Sequence, residues 1–452
     1  MNCPRVLIAG TGSGCGKTTA VCALLTILRN RGINVSALKC GPDYIDPMFH
    51  ASAVGVPSAN LDPFFCGEGL LRSTLAAHAG AVTVIEGVMG YYDGTGGDGT
   101  DNSTYTVARA TATPVVLVVN GRGTSTSSLA VIAGFAGFVP DSGILGVIFN
   151  NVAAGTYENL KGLMERRFGD RIRPLGYILK LPEECLLQSR HLGLVTPEEV
   201  ADISERLERL GGICRETLDV DGLLSLAKSA PELVFERPRL PRLPPVTVAV
   251  ARDAAFSFIY DDTLRLLEAL GAEIRLFSPL ADEPVPRGAS GLYLPGGYPE
   301  LYADALEKNR RAAESVRRAV LSGMPAIAEC GGFQYLGKTL DGRGMCGALP
   351  HESANTGRLT RFGYVTLTAK VPGLFGEAGV TLPAHEFHYY DSTENGCGFT
   401  ARKANGKQWD CAVYTDTLYA GYPHLYLPAC VDAAENFLRK CAEYRKGGSA
   451  DG

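Results

Sequence analysis

Two sets of residues in this chain are spaced to do chemistry. The first is Gly10–Thr19, GTGSGCGKTT, which follows the apolar run Val6-Leu7-Ile8-Ala9 and opens onto Ala20-Val21-Cys22-Ala23-Leu24-Leu25. A strand, a glycine-rich turn and a helix start in that order make a phosphate cradle. Backbone N–H groups converge on an anion, and the helix dipole adds about half a positive charge. Gly12, Gly14 and Gly16 keep the turn open, Lys17 can reach the β/γ-phosphates, and the Thr18 hydroxyl, with Thr19 beside it, can sit on Mg²⁺. The second set centres on Cys330 in AECGGF, with PGGYPEL before it and GYPHLY after it. A buried strand, Ala326–Glu329, would turn sharply at Cys330-Gly331-Gly332 into a helix. That arrangement exposes a thiol at the strand tip and turns the following N–H groups, from Gly331 on, toward a developing oxyanion. The helix start would also lower the thiol pKa. The turn Gly296-Gly297 could supply a second oxyanion N–H. A cysteine nucleophile needs a base, and among the seven histidines His424 is the best placed.

Acids cluster around the first set. Glu86 closes the apolar strand Val82–Ile85 and enters the glycine-rich loop GVMGYYDGTGGDGT. A carboxylate at the end of a neighbouring parallel strand is where a Mg²⁺ ligand is needed, directly or through water. Asp93 is the acid of that loop expected near the ligand. In KCGPDYIDPMFH, Asp43 and Asp46 flank Tyr44-Ile45 between two prolines. They could coordinate a second Mg²⁺ or position an acidic substrate through the metal; equally, Asp here could cap its own turn. Asn150-Asn151 could read a base edge or simply end a strand. His385 and His388 in AHEFHYY lack the i, i+4 spacing of a helical metal pair and read as structural or substrate-lining. The phosphate loop departs from its strict pattern, which would place a glycine at Thr11; Gly10, six residues before Gly16, makes the turn one residue longer. Gly12 stands where partitioning-type ATPases carry a second lysine, which weighs against that class.

The elements that must hold these groups follow from apolar patterning. Arg5–Ala9, Val35–Lys39, Val82–Glu86, Val115–Asn120 and Ile144–Asn150 are nearly continuous apolar runs, as buried parallel strands are. The helical stretch Thr18–Asn30 between the first two gives a β-α-β rhythm, hence an α/β fold with a doubly wound parallel sheet and ligands at the strand ends. Pro174–Ile178 could add a strand; Pro197–Leu210 and Val220–Lys228 read as helices. Pro231–Pro245, with five prolines, is expected to be an extended linker. Residues 1–230 and 246–445 are then two domains. The second begins with a strand at Val246–Ala251, a helix at Asp261–Leu270 and a strand at Glu273–Phe277. Strands at Gly291–Leu294 and Ala326–Glu329 and a helix at Ala312–Leu321 continue the pattern. A β-rich stretch runs from Thr360 to about Tyr426, and a last helix, Val431–Arg445, precedes a tail expected to be disordered. Thirteen scattered cysteines without a CxxC pair read as reduced thiols of a cytoplasmic protein. The net charge of −5 and the lack of a basic block argue against nucleic acid, and no apolar stretch is long enough to span a membrane.

These segments, with SRHLGLVTPEE around His191 and VAVARDAAFSFIY, closely resemble the cobyrinate a,c-diamide synthase family over nearly the whole chain. That family joins a dethiobiotin-synthetase-like, P-loop ATP domain to a flavodoxin-like class I glutaminase domain of the triad type. The resemblance implies a ligase that uses ATP, Mg²⁺ and L-glutamine. A carboxylate of a cobyrinate-type tetrapyrrole is phosphorylated, and ammonia released from glutamine through a thioester on Cys330 passes between domains and displaces the phosphate. By the same resemblance Lys17 and Thr18 would hold phosphate and Mg²⁺, and Glu86 and Asp43 would serve the metal. Asp43, Tyr44, Asp46 and Asp93 would line the phosphorylation site, and His424 would activate Cys330. Many class I glutaminases carry a Glu two residues after the His; here that residue is Tyr426, so a Cys-His dyad is expected. Cobyric acid synthase, an enzyme acting on nickel-sirohydrochlorin, hydrogenobyrinate as the substrate, and a nucleotide-switched binding protein with a vestigial glutaminase are the alternatives. Assembly as a homodimer is left open.

Overall fold

The structure is a computed structural model that describes residues 1–96, 99–185, 189–190, 193–194 and 202–448. It divides into two compact units, Met1–Pro238 and Arg239–Gly452. His191, and the start of the helix expected at Pro197–Leu210, lie outside the described residues; the helix there runs Ile203–Arg215.

In the first unit seven strands form one sheet: β1 (Arg5–Gly10), β2 (Val35–Cys40), β3 (Ser58–Leu61), β4 (Val82–Glu86), β5 (Val115–Asn120), β6 (Ile144–Asn150) and β7 (Arg173–Ile178). Their order is β3-β2-β4-β1-β5-β6-β7, and every pairing is parallel. Covering both faces with helices buries the strands from end to end, which is why β1 and β2 are buried at all six positions. Leu7, Ile8, Ile85, Leu117 and Val118 are completely buried, each contributing about 1.5–3 kcal/mol from apolar surface removed from water. Strand β3 escapes sequence reading because SANL is short and half polar. Helix α1 (Lys17–Asn30) starts directly after the glycine-rich turn. Arg5, wholly buried in β1, donates to the carbonyls of Cys3, Thr111 and Pro231, which ties the end of the unit to its first strand.

The second unit has a six-stranded sheet in the order Ala272–Phe277, Val246–Ala251, Gly291–Leu294, Ala326–Glu329, Leu418–Gly421, Val413–Tyr414. The first five are parallel, in the flavodoxin-like order 2-1-3-4-5, and the last runs antiparallel. The β-rich stretch forms a separate antiparallel sheet in the order Gln408–Cys411, Phe399–Arg402, Arg361–Ala369, Thr381–His388, His424–Leu425. Both sheets contribute to one apolar cluster that includes Val248, Tyr293, Ile327, Val365, Leu367, Phe399 and Phe437. The proline-rich segment forms no helix or strand, yet its ends are docked rather than free. Leu233 N–H donates to the Met1 carbonyl within the first unit, and Leu243 N–H donates to the Leu270 carbonyl within the second. The last helix continues to Gly448, so Gly447 is helical and not part of a loose tail. All thirteen cysteines are free thiols. Among the described residues no helix is long and apolar enough to cross a membrane.

Candidate active sites

The glycine-rich turn leaves β1 and enters α1 through Gly16, whose φ of +105° is left-handed. A side chain there would also strike Asn150, whose Nδ2 donates to the Cys15 carbonyl at 2.9 Å. Asn150 therefore braces the loop. Gly12 and Gly14 look onto open space. Lys17 is buried, and its ammonium donates to the Gly12 carbonyl at 2.9 Å and the Met89 carbonyl at 2.5 Å. Burial lowers its pKa. An ammonium held only by carbonyls can exchange them for phosphate oxygens at little cost. Thr19, the third residue of α1, is half-buried.

Behind the loop lies a buried polar network that spacing alone did not reveal. Glu86, at the end of β4, accepts from Thr18 Oγ1 at 2.6 Å and from Lys39 Nζ at 2.9 Å, while His50 Nε2 stands 3.0 Å from its other oxygen. Lys39 also pairs with Asp46 at 2.5 Å. Burial would raise Glu86, but the Lys39 charge and the hydrogen bonds to His50 and Thr18 outweigh it and hold Glu86 well below the usual carboxylate range. Burial, with Glu86 close by, drives Asp46 far above it. Lys39 is raised because the carboxylates outweigh its burial. Sequence reading passed over Lys39 and His50. The signal was there: a lysine ending an otherwise apolar strand needs a buried counter-charge. Replacing Lys39 by methionine should cost about 3–5 kcal/mol, since removing one partner of a buried pair strands the other. Urea unfolding followed by circular dichroism reads this directly; a loss below about 1 kcal/mol would show the carboxylates neutralised without Lys39.

Asp43 Oδ1 accepts from the Ile45 N–H at 2.8 Å, the capped turn allowed for above. Tyr44, next to it, is half-buried. Asp93 is exposed, and its Oδ2 accepts from the Gly90 N–H at 2.7 Å, closing the loop after β4. Thr18 and Glu86 thus stand together, and Asp43 is engaged in its own turn. Among the described residues no group of three His, Cys, Asp or Glu side chains could hold a metal. A hydroxyl and one carboxylate beside a phosphate cradle nevertheless suit Mg²⁺, which keeps several waters and takes phosphate oxygens for the rest of its shell.

In the second unit Cys330 links the strand Ala326–Glu329 to the helix Gly331–Leu336 at φ +46°, ψ −102°, a conformation few non-glycine residues adopt. Its N–H donates to the Gly421 carbonyl at 2.8 Å, which pins the elbow to the adjacent strand. The expected lowering of the thiol pKa is reversed: burial, with the Glu300 carboxylate nearby, pushes it up, and the Gly331 N–H only partly opposes this. A helix of six residues has little dipole to set against full desolvation. The thiol accordingly needs a base. A Cβ on Gly331 would lie 3.1 Å from the Gly297 nitrogen, so the two backbone groups expected to form an oxyanion hole are neighbours. Gly296 has another use. A side chain there would collide with the His424 ring, and its carbonyl accepts from the Phe258 N–H at 3.0 Å. The Gly296-Gly297 turn therefore lies against His424 on one side and Gly331 on the other.

His424 is carried by the antiparallel sheet, where it pairs with His385. His388 stacks on Tyr422 with centroids 3.9 Å apart, and its Nδ1 lies 2.7 Å from the Tyr390 carbonyl oxygen. His385 meets the edges of Phe362 and Tyr364. Both pack against aromatic rings. Their burial predicts a pH dependence. Burial pushes His351, His385 and His388 down to about 4 and Glu386 up to about 7. Between about pH 4.5 and 6 the unfolded chain protonates three imidazoles that the fold keeps neutral, whereas the fold keeps one proton on Glu386 that the unfolded chain loses. Glu329, pushed up to about 8, and His424, pushed down to about 3, hold one proton between them in either state across that window. Asp46, also driven up, keeps a further proton in the fold. The unfolded chain therefore binds about one proton more, so stability falls on acidification by up to about 1.4 kcal/mol per pH unit. Above about pH 6 the sign reverses, because the folded carboxyls keep protons the unfolded ones have released. Urea midpoints read by the single tryptophan, Trp409, should peak near pH 6; a flat profile from pH 5 to 8 would refute this.

Comparison with known proteins covers both units. Residues 6–194 match the CobQ/CobB/MinD/ParA nucleotide binding domain, and residues 247–429 match the CobB/CobQ-like glutamine amidotransferase domain. The chain is 38% identical to a cobyrinate a,c-diamide synthase of Listeria monocytogenes, over 93% of this chain and 96% of that one. It is 35% identical to the protein of that name from Priestia megaterium over 98% of each, and 36% identical to that from Thermoplasma volcanium over 99% of each.

Proposed function

Because the chain belongs to the cobyrinate a,c-diamide synthase family, we propose that it amidates the a and c acetate carboxylates of cobyrinate in cobalamin biosynthesis, with ATP as phosphoryl donor and glutamine as nitrogen donor. What carries the reading is that one chain holds both a phosphate cradle at Lys17 and a strained cysteine elbow at Cys330. The chemistry requires both. A carboxylate is a poor electrophile with a poor leaving group, and phosphorylation corrects both faults. Ammonia in water near neutral pH is mostly protonated and unreactive, so it is made where it is used.

In the first domain, residues 1–230, the glycine-rich turn binds the ATP phosphates through its N–H groups, and Lys17 moves from its carbonyls to phosphate oxygens. Thr18 and Glu86 would hold Mg²⁺, which would neutralise phosphate charge. Lys39 and His50 keep Glu86 ionised and fixed for that task. Asp43, Tyr44, Asp46 and Asp93 line the place where the tetrapyrrole carboxylate is phosphorylated. In the second domain, residues 246–445, His424 takes the Cys330 proton and the thiolate attacks the glutamine carboxamide. The Gly297 and Gly331 N–H groups stabilise the oxyanion, and ammonia leaves with the proton from His424. Water then hydrolyses the thioester to glutamate.

Mass spectrometry of cobyrinic acid incubated with the protein, Mg-ATP and glutamine tests the reading. Each carboxylate converted to an amide lowers the mass by one unit, and the series should stop at two conversions. More than two would assign the activity of cobyric acid synthase, and no change would move the reading to nickel-sirohydrochlorin. Conversion of the cobalt-free ring in preference would favour hydrogenobyrinate.

A further inference from the structure

The residue two places after His424 does not orient it. Tyr426 is buried with its ring edge-on to Tyr260, and its hydroxyl lies 3.4 Å from Asp262 Oδ2. A different acid faces the imidazole. Glu329, the last residue of the strand before the nucleophile, is 1% exposed, and its Oε2 stands 3.8 Å from His424 Nδ1. Its other oxygen is held from two sides, accepting from the Tyr293 hydroxyl at 2.9 Å and from the Leu425 N–H at 3.0 Å. One donor comes from the neighbouring parallel strand and the other from the residue after His424. Together they fix the carboxyl rotamer and leave Oε2 turned to the ring.

We propose that Glu329 is the positioning residue of the glutaminase site, orienting His424 through Nδ1 and balancing the charge that His424 acquires when it takes the Cys330 proton. The proposal rests on the reading of Cys330 and His424 given above. The proton leaves Cys330 Sγ for the far ring nitrogen, Nε2. The thiolate forms the C–S bond, and the C–N bond of the carboxamide breaks as Nε2 returns the proton to departing ammonia. Between those events an imidazolium exists inside a protein core. The other groups facing the ring, His385 and His388, are imidazoles that disfavour it. Burial, with His385 and His388 close by, pushes His424 down to about 3, and burial pushes Glu329 up to about 8 against the hydrogen bonds from Leu425 and Tyr293. Each group opposes its own ionisation, and each becomes easier to ionise when the other does. A separation of 3.8 Å is within ion-pair reach and shortens when the ring gains charge. The strand that delivers the nucleophile thus delivers the group that steadies its base, which frees position 426 for packing.

The test is a double-mutant cycle on glutamine hydrolysis. Glu329→Gln, which keeps size but not charge, should lower kcat by on the order of 10²–10⁴ while KM stays within about threefold. In a His424→Ala background the same substitution should change kcat by less than about threefold, because a positioning residue has nothing left to position. Full kcat in Glu329→Gln, or an equal loss in both backgrounds, would overturn the proposal; the second pattern would make Glu329 structural. Folding is checked by the unfolding midpoint from Trp409 fluorescence. Should Glu329→Gln fail to fold, Tyr293→Phe, which removes one of the two donors on Oε1, should lower kcat by about three- to tenfold, again only when His424 is present. An unchanged kcat would overturn the proposal. Hydrolysis that survives Cys330→Ala would refute the glutaminase reading itself, whereas its loss there with full activity in Glu329→Gln refutes Glu329 alone.

Discussion

Replacing Cys330 by alanine should abolish glutamine-dependent amidation, by on the order of 10³-fold or more, while amidation with added ammonia stays within about threefold of the parent. The loss is large because the nucleophile acts as one unit with its base and oxyanion donors. Twelve other thiols exist in the chain, but Cys330 is the one at a left-handed elbow next to the Gly297 N–H. The ammonia route survives because phosphorylation is assigned to Lys17, Thr18 and Glu86 in the other unit. Amide formation measured by mass spectrometry with glutamine and then with ammonium salt decides the matter. Loss of both activities together would count against separate sites. Retention of the glutamine-dependent activity would remove Cys330 from the mechanism.

Lys17→Ala should remove both activities, each by more than about 10²-fold, since without an acyl phosphate neither source of ammonia has an electrophile to attack. The substitution removes a buried ammonium whose present partners are two backbone carbonyls. Folding should survive it, because those carbonyls border an open loop and can turn to water. Lys17→Arg should not restore activity, since a planar guanidinium does not fit a cradle shaped around a point charge. Thermal unfolding followed by circular dichroism supplies the control. Ammonia-dependent amidation at the parental rate in Lys17→Ala would sink the phosphate-loop assignment.

The sequence by itself determined the two parallel sheets and the order of their chemistry. Strands such as Val82–Glu86, Val246–Ala251 and Ala326–Glu329 fall where their apolar runs place them, because a strand buried on both faces must be apolar throughout. The glycine turn and the Glu-Cys-Gly-Gly elbow are local as well: their backbone conformations are set by neighbours in the chain, so spacing reveals them. Tertiary structure decided which groups became partners. Lys39, with Asp46 paired to it, reaches Glu86 only because β2 lies beside β4 in the sheet. Asn150 reaches the phosphate loop from 135 residues away. His424 meets the Gly296 turn because an antiparallel sheet, visible in the sequence only as a β-rich stretch, ends beside it. Glu329 reads in the sequence only as the last residue of a buried strand, and Cys330 as a thiol acidified by a helix. Desolvation changed both, and desolvation depends on every residue packed around a group, whatever the distance along the chain. Local sequence encodes backbone shape and apolar faces; pairing and burial of charge are set by the fold as a whole.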